Sequence, residues 1–139
     1  PGRDASFGVF ICYESIFPEI ARHFVKNGAN FIVNVTNDAW FGTTAAPFQH
    51  FAMGVFRAVE NGRPLIRAAN TGISGAVDAS GRVLKTTNLF EPASILVEIV
   101  PGRDLTFYTR HGDILVVLCA SGSIFALVWS IISRRRVQN

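Results

Sequence analysis

The residues with chemistry to offer begin at Cys12, in the stretch GVFICYESIFPEI (residues 8–20). A cysteine thiolate attacks carbonyl carbon and can carry an acyl group as a thioester, dividing a hard transfer into two easier steps. Tyr13 comes next, and the backbone N–H one residue past a nucleophile is a ready donor to the oxyanion of a tetrahedral intermediate. Glu14, two residues past Cys12, is placed to hold a partner or shape the pocket. A second group, Asn37, Asp38, Trp40 and Phe41, stands in NDAWFG (37–42). These residues could contact substrate, although loop anchoring explains the Trp-Phe pair as well. A free cysteine taken alone is more often a small buried hydrophobe. The case for chemistry therefore rests on where these residues stand.

Their placement follows from the hydropathy pattern. Residues 6–11 (SFGVFI) read as a buried strand, and residues 30–36 (NFIVNVT) as a second, β-branched one. Between them Ile16, Ile20 and Phe24, with Phe17, Ala21 and Val25, recur at helical spacing up to Lys26. Pro18 suits a first helical turn, and Asn27-Gly28 is a stop signal. This is a β-α-β unit, the mark of an α/β layered fold. Such folds bind ligands beyond the carboxyl ends of their strands, where Cys12 and the 37–47 loop both fall. The free N–H groups of a helix start could serve an oxyanion there, so the strand–Cys–helix junction reads as a nucleophile elbow. Residues 48–61 return to helical period, and Gly62 ends that helix. Strands are expected at 63–70, 72–79, 82–87 and 93–100, the second and third joined as a hairpin by DASGR (78–82). Asn70, Thr71 and Gly72 are candidates for a pocket rim.

Residues 114–133 (ILVVLCASGSIFALVWSIIS) hold no charge and are bounded by Asp113 and Arg134. At about 1.5 Å rise per residue, twenty residues reach roughly 30 Å, the thickness of a bilayer's hydrocarbon core. The run is expected to cross a membrane. Ala120 to Ser123 form a patch of small residues where another helix could approach. Arg134, Arg135 and Arg136 directly after the span place that end in the cytoplasm by the positive-inside rule. The preceding α/β region then sits on the outer side.

Bulk properties exclude several classes. The chain has 139 residues, about one domain, with 49% hydrophobic residues and a mean hydropathy of +0.30. Thirteen basic side chains exceed ten acidic ones by three, and that excess equals the three terminal arginines. A nucleic-acid reader spreads basic charge over a face, so no nucleic-acid partner is expected. Cys12 and Cys119 are far apart, and neither belongs to a CxxC pair, so neither a disulfide nor a zinc site is indicated. His23, His50 and His111 read as structural or surface residues, with no acid evident at a triad-like position and no converging metal ligands. Arg57, Glu60, Arg63 and Arg67 are expected to form ion pairs at a helix–strand junction. The chain opens with PGRD, without an initiator Met or a signal peptide, and reads as the C-terminal piece of something longer.

The nucleophile region resembles that of the nitrilase, or carbon–nitrogen hydrolase, superfamily: Gly8 four residues before Cys12, then Tyr13, Glu14, Phe17, Pro18 and Glu19. Most superfamily hydrolases have Asp two residues after the Cys. Glu14 in its place, with NDAWFG, resembles the branch of bacterial apolipoprotein N-acyltransferases. QHFAMGVFRAVENGRPLIRAANTGISGAVDASGRV (49–83), LTFYTRHGD (105–113) and the final span match the same branch. The resemblance implies the C-terminal half of a nitrilase-like α-β-β-α sandwich followed by one transmembrane helix. It implies a Glu–Lys–Cys triad on the outer face of the bacterial inner membrane, with Cys12 as nucleophile. The partners would be a phospholipid acyl donor, a diacylglyceryl-modified apolipoprotein acceptor and membrane lipid, with no cofactor and no metal. The family's base Glu and oxyanion Lys lie upstream of the motif and match nothing in these residues, so the chain alone is expected to be inactive. The division expected is 1–112 for the hydrolase-like domain, 113–133 for the span and 134–139 for a basic cytoplasmic tail. Two alternatives stay open: a membrane-anchored amidase of nitrilase type, and a catalytically inactive membrane-anchored binding module.

Overall fold

A computed structural model of the chain describes residues 5–137; the last two residues of the expected basic tail lie outside the described ones. The elements run β1 (Phe7–Ile11), a 3-10 turn (Cys12–Ile16), α1 (Pro18–Lys26), β2 (Phe31–Asn37), a short 3-10 turn (Ala39–Phe41) and α2 (Ala46–Asn61). They continue with β3 (Leu65–Asn70), β4 (Gly75–Val77), β5 (Val83–Thr86), α3 (Phe107–His111) and α4 (Ile114–Val137). The five strands form one mixed sheet in sequence order. β1, β2 and β3 are parallel, and β4 and β5 add an antiparallel edge. The expected hairpin is present, its turn closed by the Asp78 carboxylate accepting from Ser80 and Arg82 N–H groups, each at 2.9 Å.

Register separates the sheet into two faces. Phe10, Asn34 and Arg67 lie side by side on β1, β2 and β3, and all three point inward at 2% exposure or less. Gly8, Ile32 and Leu65 stand one pair further back on the same face. Helices α1 and α2 cover this face, closing a core of Phe10, Ala21, Val25, Ile32, Phe51, Ala58, Leu65, Ile73 and Val77. A side chain of Phe or Leu size contributes about 1.5–3 kcal/mol when fully buried. Gly8 has a packing reason: a Cβ there would strike the Phe24 ring, which packs 5.5 Å from the Phe10 ring. The opposite face, with Phe7, Val9, Ile11 and Val35, is exposed.

Helix α1 begins at Pro18, two residues later than the apolar period predicts, because residues 12–16 close a separate 3-10 turn. The helix start is therefore six residues past Cys12, and the N–H groups next to the thiol belong to the short turn. Residues 93–100, expected as a strand, are assigned to no strand. Ile95, Val97 and Ile99 are half-buried while Leu96, Glu98 and Val100 are exposed, so the period-two pattern is real. Alternation shapes an extended chain, but a strand exists only when a neighbour accepts its hydrogen bonds.

The path to α4 is held by guanidinium–carbonyl bonds. Arg63 donates to the carbonyls of Ala29 (2.8 Å), Gly62 (3.0 Å), Arg103 (3.0 Å) and Asp104 (2.8 Å). Arg22 donates to those of Thr109 and Arg110 at 2.9 and 3.1 Å. Thr106 caps α3 by accepting from the Thr109 N–H at 2.9 Å. Of the four residues expected to pair at this junction, Arg57 and Glu60 do so at 2.9 Å, Arg63 binds carbonyls only, and Arg67 pairs elsewhere. Helix α4 is long and apolar enough over Ile114–Arg134 to cross a membrane, and none of that stretch is buried against the rest of the chain.

Candidate active site

Cys12 closes β1 with φ of +54°, a left-handed conformation that costs a non-glycine residue about 1–3 kcal/mol. The strain turns the chain sharply at the carboxyl end of the sheet and leaves Cys12 half-buried. Both cysteines are free, and Cys119 lies exposed on α4. Glu14 reaches back and accepts the Ile11 N–H at 2.8 Å, bridging the two sides of the turn. Its observed contact is with the elbow's own backbone.

Under the elbow lies a buried polar network. Asn34 donates through Nδ2 to the Cys12 carbonyl at 3.2 Å and to the Phe10 carbonyl at 3.5 Å. Its Oδ1 accepts from the Arg67 guanidinium at 2.7 Å. Arg67 also donates to Asp38 Oδ2 at 2.6 Å and to the Ile73 carbonyl at 3.2 Å. Asp38 Oδ1 accepts from the Thr36 hydroxyl at 3.0 Å and lies 3.0 Å from His50 Nδ1. His50 Nε2 in turn sits 3.1 Å from Ser15 Oγ. Ser15, Asn34, Asp38, His50 and Arg67 are all at 2% exposure or less.

Burial sets the charge states of this network. It lowers the His50 pKa below the ordinary 6.5, and the Arg67 charge lowers it further against the opposing pull of Asp38, so the imidazole is neutral at physiological pH. Burial also lowers Arg67, offset first by Asp38 and then more weakly by a charge interaction with Cys12. The result is one buried ion pair beside a neutral histidine. Ser15, His50 and Asp38 fall in the order of a hydrolase triad, but Ser15 is fully buried and reaches no substrate.

The loop residues divide. Asp38, expected among the substrate-binding residues, is 2% exposed and its carboxylate is taken up by Arg67, His50 and Thr36, so it supports the site from beneath. Gly72 makes room for it, since a Cβ there would lie 2.6 Å from Asp38 Oδ2. Asn37 is exposed and accepts the Ala39 N–H through Oδ1 at 3.1 Å. Trp40 is 80% exposed and open to a ligand. Phe41 meets the His50 ring edge-on at 6.0 Å, and the Tyr13 ring is tilted against the same ring at 5.2 Å. Asn70, Thr71 and Gly72 line a cleft of about 270 Å³ with Ser74, Thr87 and Phe90.

His50 is a correction to the sequence reading, which found no acid for it. Asn34, Arg67 and Ser15 are functional candidates that the reading missed or assigned elsewhere. The signal was present, because Asn34 and Thr36 occupy the inward positions of an apolar strand, where a polar side chain must find a buried partner. Among the described residues no three His, Cys, Asp or Glu side chains converge as metal ligands would.

A mixed sheet with helices on one face and a strained cysteine beyond the carboxyl end of a parallel strand places the chain among α/β proteins of nitrilase type. It belongs to the carbon–nitrogen hydrolase family, whose model matches residues 2–103. A carbon–nitrogen hydrolase from Helicobacter pylori shares the fold at a TM-score of 0.54 and 18% identity, over 66% of this chain and 42% of that one. A Saccharomyces cerevisiae member of the nitrilase superfamily does so at 0.51 and 24%, over 66% and 40%. In sequence the chain is similar to the apolipoprotein N-acyltransferase of Geobacter metallireducens, 46% identical over 93% of this chain and 24% of the relative. It is 44% identical to that of Thermotoga maritima over 97% and 26%. The chain thus spans about a quarter of the length of these curated relatives.

Proposed function

We propose that Cys12 is the nucleophile of an acyl-transfer centre, and that the protein carrying it moves a fatty acyl chain from a phospholipid to the N-terminal diacylglyceryl-cysteine of an apolipoprotein. One observation carries this reading. The similarity to apolipoprotein N-acyltransferases extends over 135 of the 139 residues and so includes α4, whereas the solved hydrolase neighbours match only 66% of the chain. An amidase acting on a soluble amide needs no apolar helix of this kind. A phospholipid donor does require its site close to a bilayer.

In this reading the Cys12 thiolate attacks the donor's ester carbonyl while the Tyr13 N–H donates to the oxygen that becomes charged. Collapse of the tetrahedral intermediate breaks the ester C–O bond, leaves an acyl thioester on Cys12 and releases a protonated lysophospholipid. The acceptor's α-amine then attacks the thioester, an amide forms and the thiol is restored. A carboxylate must take the thiol proton and return it to the leaving group. That base and a second oxyanion donor would come from outside these residues. Trp40 and the aromatic loop offer contact to the acyl chain. Residues 1–112 would supply the hydrolase-like portion and 113–133 the span, with 134–139 on the cytoplasmic side of the inner membrane.

The test uses the complete reading frame that carries these residues, given phospholipid with a labelled acyl chain and a diacylated peptide. The expected result is a hydroxylamine-sensitive acyl-enzyme that disappears in Cys12→Ala, persists in Cys119→Ala and discharges onto the peptide amine. Ammonia release from a soluble amide, without peptide acylation, would show an amidase instead.

A further inference from the structure

Three in-register positions across β1, β2 and β3 end at the nucleophile's own peptide group. Arg67 grips Asn34 Oδ1 at 2.7 Å, and Asn34 Nδ2 reaches the Cys12 carbonyl at 3.2 Å. The Cys12–Tyr13 peptide is trans, as are all peptides among the described residues. In a trans peptide the C=O and N–H point in opposite directions. A carbonyl held downward onto the buried network therefore turns the Tyr13 N–H upward, away from it. That N–H opens a 3-10 turn, where the first donors have no partner within the turn.

We infer that Asn34, clamped by Arg67, is a positioning residue that aims the Cys12–Tyr13 peptide so that the Tyr13 N–H meets the developing oxyanion. The role rests on the reading of Cys12 as nucleophile, but not on the identity of the acyl donor. Arg67 is itself fixed on its other side by Asp38 at 2.6 Å and by the Ile73 carbonyl, so its hold on Asn34 has little slack. The His50 imidazole also reaches the Cys12 backbone, but the Asn34 amide is the group that Arg67 clamps against that carbonyl, and its loss frees the carbonyl on that side against the strain at Cys12. Rotation of one peptide plane would withdraw the donor while leaving the sulfur in place.

Two reagents separate aim from exposure. Iodoacetamide alkylates a thiolate by displacement at saturated carbon, where no oxyanion forms. A p-nitrophenyl ester acylates the same sulfur through a tetrahedral oxyanion. In the purified complete protein, Asn34→Leu is expected to slow ester acylation of Cys12 by about 10²-fold, as for loss of an oxyanion donor. Alkylation, followed by mass spectrometry of the Cys12 peptide, should change by no more than a few-fold. Asn34→Asp is the second variant: it keeps an oxygen for Arg67 but presents an acceptor to the Cys12 carbonyl, and the same selective loss is expected. If both rates fall together, or neither falls, in a variant that binds the reagents and unfolds cooperatively, the assignment is overturned. An ester burst that survives Cys12→Ala would remove the nucleophile and this inference with it. A protein that is acylated by the ester with the expected selectivity, yet not by phospholipid, would retain the inference and lose the proposed substrate.

Discussion

The two faces of the sheet are built from the same strands and differ at alternate residues. On the helix side Phe10, Asn34 and Arg67 are at 2% exposure or less; one residue along the same strands, Ile11 and Val35 are 68% and 50% exposed. The helix side has its apolar core closed and, beneath Cys12, a polar network paired around the Arg67–Asp38 ion pair. The other side is apolar, and over β1 and the end of β2 it is exposed at Phe7, Val9, Ile11 and Val35. In the proposed reading, the difference marks what these residues would supply: the nucleophile and the scaffold beneath it. A base, a second oxyanion donor and the cover would have to approach from elsewhere.

The largest expected effect tests that division directly. Residues 1–139 expressed alone should show no acyl transfer from phospholipid to a diacylated peptide, while the complete reading frame should turn over. Loss of a general base costs about 10²–10⁴-fold, and loss of an oxyanion donor about a further 10²–10³-fold. Turnover by the 139 residues, abolished in Cys12→Ala, would break the comparison by placing a base among them. Glu14 would then be the first residue to substitute, despite its bond to the Ile11 N–H.

Next in size is the helix side's buried pair. Arg67→Met removes one partner and leaves the Asp38 carboxylate buried without its charge, which costs about 3–5 kcal/mol. Chemical denaturation of the complete protein should show a loss of that order, with the midpoint lowered. A loss below about 1 kcal/mol would mean that water enters the network and that the helix side is less finished than its geometry shows. The bare side gives the contrasting value. Val35→Ala removes two methyl-sized units, about 1.5 kcal/mol if the face is covered in the complete protein. An exposed position would change by less than about 0.5 kcal/mol. The larger figure would establish that residues outside this chain close the apolar face.

Much of this was legible in the sequence, and the parts that were not share a physical cause. The β-α-β unit, the hairpin, both long helices and the elbow follow from local signals: period, Pro18 at a helix start, a turn at 78–82. What sequence could not supply was partnership across distance. Residues 93–100 alternate as a strand does but have no neighbour to pair with. His50 shows no acid nearby in sequence, because Asp38 is twelve residues away and meets it only when the loop folds over α2. Asp38 reads as a substrate-contacting loop residue for the same reason, whereas Arg67, twenty-nine residues on, holds it inside. The site was readable where one short stretch carries it and hidden where three strands meet.

The smallest expected effect concerns protons and again divides the faces. On β1 and β2 the bare side presents Phe7, Val9, Ile11, Phe31, Val33 and Val35, none of which titrates, whereas the helix side carries the polar network. His50 is its titrating member, facing Arg67 from β3, Asp38 from the loop after β2 and Ser15 from the turn. Burial and then Arg67 lower its folded pKa below 6.5, so below that pH the unfolded chain binds a proton that the folded chain refuses. The unfolded state holds more protons in this window, and stability therefore rises with pH across it. The His50 contribution is fully present above pH 6.5 and is lost as pH falls toward the folded value, with a slope of at most about 1.4 kcal/mol per pH unit. Glu60 runs the other way, since burial raises its pKa above 4.5 and acid favours its folded form. The informative quantity is accordingly the difference between wild type and His50→Gln, measured by denaturation between pH 5 and pH 7 on the same protein. The wild type should lose stability toward pH 5 more steeply than the variant, while Val35→Ala should follow the wild-type slope. Equal slopes in wild type and His50→Gln would mean that the imidazole accepts its proton in place, with Asp38 outweighing both burial and Arg67.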